Sequence, residues 1–478
     1  MLWVDISKIC TEIRYNFNIF TQGKNRSNLH ERQFFTHTIT EVMKMNSIWE
    51  INAHRPHFER FDGDISVDVL IVGGGIAGIL CAHALREAHI NYALIESDRI
   101  CGGITQNTTA KITVQHGLIY DKLIREFGIR KARQYLEANN DALKEYRRLC
   151  ARIDCDFEEC DAYLYSVNDK GKIEKEANAY KELGIKAERT TKLPLPFPVA
   201  DSLRVSGQAQ FNPIKFLFEI SKGLRIYENT KAVEFAPGEV RTNRGNIRAK
   251  KIIVATHFPI INKHGGYFAK LYQHRSYVLA LKDAPQFEGM YIDENEKGLS
   301  FRNYGEYLLL GGGSHRTGKN GGNWRELEDF AAKYYPNAKE VCRFATQDCM
   351  TLDGVPYIGK YSQKAEGLYV ATGFNKWGMT SAMAAAMILR DEILGKINRY
   401  AEVFSPSRSI FRPQLAINLF ETTVNLLTPT APRCPHLGCA LKYNKAEHTW
   451  DCPCHGSRFT KDGKLIDNPA TDDKSGMA

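Results

Sequence analysis

Residues 67–96 constrain the fold of this chain more than any other stretch. Val67-Asp68-Val69-Leu70-Ile71-Val72 is a short run that is apolar and β-branched apart from Asp68, as expected of a strand buried in a parallel sheet. Gly73-Gly74-Gly75-Ile76-Ala77-Gly78 follows at once in the pattern G-x-G-x-x-G. Ile79 to Ala88 has helical composition, and a second strand, Asn91 to Ile95, ends at Glu96. The glycine pattern thus has a strand before it and a helix after it.

The glycine pattern is weak alone, but this context is what a dinucleotide site demands. Gly73, Gly75 and Gly78 let backbone approach a pyrophosphate, and the helix N-terminus offers free N–H groups. Glu96, 18 residues beyond the last glycine, can accept hydrogen bonds from a ribose. A second glycine turn, Cys101-Gly102-Gly103-Ile104-Thr105, follows Glu96 and would bring backbone to the cofactor again through Gly103 and Thr105. Further along come the strand Lys251–Ala255, the segment Thr351-Leu352-Asp353-Gly354 and the strand Gly367–Gly373. The last runs through Trp377-Gly378-Met379-Thr380 into a helix.

Together these motifs resemble FAD-dependent oxidoreductases of the D-amino-acid oxidase and glycine oxidase type over about residues 65–396. The resemblance implies a doubly wound FAD-binding domain with an inserted mixed-sheet substrate domain. It also implies that Gly373, Gly378, Met379 and Thr380 lie by the flavin ring, where a helix N-terminus stabilises negative charge. Core packing is the plainer reading of Trp377 and Met379. Leu308–Gly313 resembles a sheet element of that family, and Arg316 spoils its glycine pattern, leaving one dinucleotide fingerprint. Some oxidases of this type attach the ring to a cysteine; Cys349 sits at a different offset, so non-covalent FAD is expected.

Four of the twelve cysteines crowd into residues 434–454. Cys434-Pro435-His436-Leu437-Gly438-Cys439 and Cys452-Pro453-Cys454-His455-Gly456-Ser457 are separated by twelve residues. Two such Cys/His groups could bind zinc tetrahedrally. They also look like the two loops of a Rieske protein, whose [2Fe–2S] cluster takes two thiolates on one iron and two imidazoles on the other. That resemblance implies Cys434 and Cys452 on one iron, His436 and His455 on the other, and a disulfide between Cys439 and Cys454. Phe459 replaces the tyrosine of high-potential members. Only some 25 residues separate Arg408 from Cys434, and Phe411, Leu415, Leu419, Phe420 and Val424 suggest an amphipathic helix there, so a small module of about 60 residues is expected. Cys150, Cys155 and Cys160 have no His in ligand spacing and read as free thiols.

A net charge of +9 over 478 residues, with lysines interspersed among acids, does not form the basic stripe that nucleic-acid binding needs. No apolar run approaches membrane-helix length, and residues 1–44 lack the apolar core of a signal peptide. A cytoplasmic protein is expected. The domain reading is 1–44, an extension with Met45 as a candidate start; 45–396, the flavin domain; 397–415, a linker; and 416–478, the cluster module. The small C-terminal module adds to the α/β class without changing it.

The function expected is oxidation of a small-molecule substrate, an amine or amino acid, by hydride transfer to FAD, with electrons passed singly to the cluster and on to a redox protein or quinone. A flavin changes by two electrons and a [2Fe–2S] centre by one, so their fusion converts one currency into the other. The alternative is an electron-transfer protein without oxidase activity of its own. A Rieske oxygenase would need a mononuclear iron site, and His54 and His57 are a poor source for it. Arg302, His315 and Tyr272 are the expected substrate-facing residues, with Arg302 able to clamp a carboxylate bidentately.

Overall fold

Strand Ile65–Val72 is buried along its second half and lies at the heart of an eight-stranded sheet. It pairs in parallel with Gly245–Val254 on one side and Tyr92–Ile95 on the other, Ile71 facing Ile253 and Leu94 in register. Leu368–Thr372 extends the parallel core, and Ile226–Tyr227 and Tyr357–Lys360 close its ends. Helices Ile76–Glu87 and Gly378–Ile393 share one core cluster. Ala382, Ala384, Ala385 and Ala386, all buried, leave little side chain between the second helix and its neighbours. This computed structural model describes residues 47–429 and 431–474, all within one unit, residues 46–478. The expected extension at 1–44 and the candidate start Met45 lie outside the described residues.

A nine-stranded mixed sheet is inserted in the chain. Its edge strand Lys339–Thr351 pairs antiparallel with Leu271–Lys282, which pairs with Tyr307–Arg316. Helix Ile119–Cys150 bends at Gly128 (φ 78°, ψ 160°), a backbone conformation that glycine reaches without a Cβ penalty. Helix Pro213–Ser221 starts where its sequence says it should: Asn212 accepts from the N–H of Ile214 and Lys215, and proline occupies the first turn. A doubly wound domain with an inserted mixed-sheet domain is therefore the architecture of residues 47–393.

Four antiparallel strands of three residues each, between Lys442 and Asp467, form the C-terminal module. The stretch before it differs from expectation in two ways. A helix runs from Pro413 to Leu427, so the boundary expected between 415 and 416 falls inside it. The helix is amphipathic, but its polar side turns inward: Asn418 and Asn425 are each 3% exposed, whereas Phe420 is 66% and Phe411, just before it, 86% exposed. Asn418 is held by Arg316 Nη1 (2.9 Å), and Asn425 Nδ2 donates to Glu421 O (2.7 Å). Periodicity identifies two faces and not which is covered. The expected linker is anchored too, since Arg408 makes paired bonds of 2.7 and 2.8 Å to the buried carboxylate of Asp353.

Candidate functional site

A cavity of about 840 Å³ runs along the C-terminal ends of the parallel strands, the place where doubly wound sheets bind ligands. At one end it is lined by Gly73, Gly75, Glu96, Gly103 and Thr105. The turn there is tight: Gly73 has φ +113°, and a Cβ on Gly78 would lie 1.8 Å from Gly73 O. Helix Ile76–Glu87 has no side-chain cap at its N-terminus, although Ile76 N–H donates to Thr105 Oγ1 (3.1 Å). The other end is lined by Gly373, Gly378 and Met379, where helix Gly378–Ile393 also begins without a side-chain cap. Two uncapped helix N-termini facing one elongated cavity suit a group with a pyrophosphate at one end and an electron-rich ring at the other.

Of the sequence-expected residues, Gly78 and Thr380 do not line the cavity; they support it. Gly78 packs on Gly73, and Thr380 Oγ1 lies 3.1 Å from His116 Nε2. Tyr272 lines the cavity. Arg302 does not: it is 1% exposed, donates from Nη1 to Thr109 O and Ala110 O (2.7 and 2.9 Å), and stacks over Trp49. A guanidinium committed to backbone carbonyls cannot clamp a substrate. His315 also sits away from the cavity, with Nδ1 donating to Arg316 O (2.9 Å) and Nε2 3.0 Å from the Tyr277 hydroxyl.

Other lining residues were not foreseen. Lys111 Nζ donates to Thr109 Oγ1 (3.1 Å), and burial, with the Arg302 charge nearby, pushes its ammonium down to about 7. His116 stacks on Trp377 at 4.8 Å; burial pushes it down to about 3, against a hydrogen bond to Thr113 O. Thr113, Gln115 and His116, polar residues between two structured segments, were the available signal. Asp348, Lys376 and His257 line the cavity as well, as do residues of the C-terminal module from Leu465 to Thr471.

Strands Leu271–Lys282 and Lys339–Thr351 stand between cavity and module. Side chains alternate across a strand, so Tyr272, Thr346, Asp348 and Met350 turn to the cavity, whereas Gln273, Arg275 and Gln347 reach the module. Gln273 Nε2 donates to His455 O (2.9 Å), and its Oε1 lies 3.2 Å from Nε2 of the cavity residue His257. Gln347 Nε2 donates to Gly456 O (2.8 Å). The approach is close: a Cβ on Gly456, whose φ is +88°, would lie 2.7 Å from Gln273 Cβ. Arg275 pairs with Glu447 through Nε (3.1 Å) and through Nη2, and Glu447 also binds Arg458 Nη2 (2.7 Å). Arg316 donates to Pro453 O (3.1 Å) and Cys454 O (3.3 Å).

The cluster loops hold their four cysteines buried. Each loop folds on its own backbone: Gly438 N–H donates to Cys434 O and Gly456 N–H to Cys452 O, both at 2.9 Å. The His436 and His455 rings are 5.0 Å apart, and the buried Nδ1 of each has no hydrogen-bond partner. Two orphaned imidazole nitrogens beside buried thiols are a donor set for a mixed N/S metal centre. The Sγ atoms of Cys439, Cys452 and Cys454 lie within 4.8 Å of one another.

Residues 68–392 match the FAD dependent oxidoreductase family and residues 410–475 the Rieske [2Fe-2S] domain. A Bacillus subtilis (strain 168) protein described as "Putative Rieske 2Fe-2S iron-sulfur protein YhfW" is 35% identical over 88% of this chain and 95% of its own length. Among solved structures, the fold is similar to glycine oxidase from Geobacillus kaustophilus (TM-score 0.61, 18% identity, 72% of this chain and 99% of that one). It is similar also to L-proline dehydrogenase from P. horikoshii (TM-score 0.62, 16% identity, 73% and 98%).

Proposed function

The chain belongs to the FAD-dependent oxidoreductase family and carries a C-terminal Rieske [2Fe–2S] domain, and on that premise we propose that it oxidises a small amine or amino acid by hydride transfer to FAD and passes the electrons singly to the cluster. When bound, FAD supplies a two-electron acceptor and the cluster a one-electron acceptor. In this reading Gly73, Gly75, Gly103 and Thr105 bind the pyrophosphate, Glu96 a ribose, and Gly373, Gly378 and Met379 the ring. Thr380 positions His116, which stacks on Trp377, and Tyr272 faces the substrate. Cys434 and Cys452 hold one iron, His436 and His455 the other, and Cys439 and Cys454 pair as a disulfide. Cytoplasmic location and a redox protein or quinone as onward acceptor complete the proposal; no described helix is long and apolar enough to cross a membrane.

The observation that carries the reading is the shared two-strand wall. Gln273 touches a cavity residue, His257, with one end of its amide and the backbone of the cluster residue His455 with the other. Loops that only needed a surface to rest on would not require this contact with the flavin cavity. The test is anaerobic addition of amines, amino acids and hydroxy acids to the purified protein, with flavin absorbance and the cluster's electron paramagnetic resonance followed together. Bleaching followed by the reduced-cluster signal is expected. Bleaching with the cluster still oxidised would refute the transfer, and a flavin that no compound reduces would favour an electron carrier.

A further inference from the structure

On the face of the wall turned to the cavity, the Asp348 side chain makes no hydrogen bond and no ion pair with any described residue. Its cross-strand partner is His274, and Tyr272 lies opposite Met350 one step along. Lys376 lies across from it on the turn between strand Leu368–Thr372 and helix Gly378–Ile393. It lines the same cavity, has φ +72°, and likewise has no hydrogen-bond or ion-pair partner. Two opposite charges therefore face one space without closing on each other. Burial pushes the Asp348 carboxyl up to about 6, and the Lys376 and Arg275 charges act the other way, favouring its ionised form.

The cavity lining holds further carboxylates as well as Lys111, Lys122 and Lys231, and Glu294 is paired with Lys172 (3.0 Å). Asp293, Glu294 and Glu296 also line the cavity, and Glu296 is open to solvent beside His274. Arg302, the expected carboxylate clamp, is spent on backbone. Arg99 is the one arginine lining the cavity among the described residues, and it follows Glu96, at the opposite end from Lys376. An anionic substrate without an ammonium would set its charge against Asp348, with Lys376 as the cation on the facing turn.

We propose that Asp348 holds the substrate by its ammonium while Lys376 takes its carboxylate, so that this cavity selects zwitterionic amino acids over hydroxy acids. The proposal rests on the oxidoreductase reading and names the substrate class at the same site. A charge-assisted hydrogen bond to a buried carboxylate is strong enough to set selectivity, and leaving either charge unpaired on binding penalises the wrong ligand.

The test compares glycine, ethanolamine and glycolate, which are alike in size and differ in charge, by titrating the oxidised holoprotein anaerobically and reading the shift of the flavin absorption bands. Wild type should bind glycine best. Asp348→Asn should weaken glycine and ethanolamine by about tenfold or more, as the loss of a hydrogen bond to a charged group implies, and leave glycolate unchanged or tighter. Asp348→Arg should reverse the preference toward glycolate, and Lys376→Met should weaken glycine and glycolate but spare ethanolamine. Flavin content and the cluster's resonance spectrum report that each variant is folded. The proposal is overturned if glycine and ethanolamine leave the wild-type spectrum unchanged, or if Asp348→Asn weakens all three ligands equally. A flavin that no amine or amino acid reduces would instead count against the oxidoreductase reading, and these binding constants would stand apart from that result.

Discussion

Removing Glu447 should cost the cluster module more than removing Arg275, although the two form one ion pair. The Arg275 side chain is 2% exposed, and Glu447 is its one carboxylate partner among the described residues. Glu447→Leu therefore strands a buried guanidinium, a loss of about 3–5 kcal/mol. Arg458 survives better, because it keeps Asp451 (3.1 Å) and Asp467 (2.9 Å). Arg275→Met leaves Glu447 bonded to Arg458 Nη2 (2.7 Å), the Tyr277 hydroxyl (3.0 Å) and Asn444 Nδ2 (3.1 Å). That loss should be nearer about 1.5–3 kcal/mol, one hydrogen bond to a charged group. Urea unfolding followed by visible circular dichroism of the cluster is the assay. With a slope of about 2.5 kcal/mol per molar, Glu447→Leu should lower the midpoint by about 1–2 M. The double variant Arg275→Met/Glu447→Leu should recover part of that. If Arg275→Met proves as damaging as Glu447→Leu, or the double variant no better than Glu447→Leu, the account of the wall is wrong. Burial alone would raise the Glu447 carboxyl, but Arg275 and Arg458 outweigh it and hold it below the usual value. Its contribution is thus present above the unfolded-state pKa and lost as the pH falls through the lower folded value.

Three further outcomes are expected. Phe459→Tyr should raise the cluster's midpoint potential by adding a donor toward sulfur, and Ser457→Ala should lower it by removing one; voltammetry that finds neither change would leave burial to set the potential. Acid precipitation should release the flavin into the supernatant, because burial pushes the Cys349 thiol up to about 12 and leaves it protonated and unreactive; colour retained in the pellet would show a covalent link. Neutral, buried His116 must be protonated to unfold in acid, so stability should fall by up to about 1.4 kcal/mol per pH unit between roughly pH 6.5 and 3. Acid unfolding of His116→Gln should show a shallower slope, and an unchanged slope would remove His116 from the account.

Local signals were legible in the sequence. Strand Ile65–Val72, the glycine turn and helix Ile76–Glu87 follow from periodicity and backbone freedom within a few residues, and the two Cys/His loops announce their chemistry by spacing. The placement of polar side chains on long strands was not legible. Arg302 and Asp348 lie on strands of the same sheet, yet the first is consumed by the carbonyls of Thr109 and Ala110 and the second opens on the cavity. Which face a strand residue takes depends on register and on what packs behind it. The helix Pro413–Leu427 shows the same limit, since Asn418 meets Arg316 Nη1 and Ala269 O, groups that come from elsewhere in the chain. Gln273 carried no sequence signal at all.

The C-terminal residues that close the cavity tie the two prosthetic groups to an order of loading. Leu465, Asn468 and Thr471 form part of its wall, and Lys231 beside the glycine-turn end donates to Thr471 O. These residues follow the flavin domain in the chain, and domains fold as units with the earlier one first during synthesis, so the flavin site can form before this wall segment reaches it. The segment in turn belongs to the module that carries the cluster loops, and a module without its metal has less to hold it together. Flavin retention is therefore expected to depend on iron supply. Protein made in iron-starved cells should lose flavin on dialysis in proportion to its missing cluster, while protein loaded with iron keeps both.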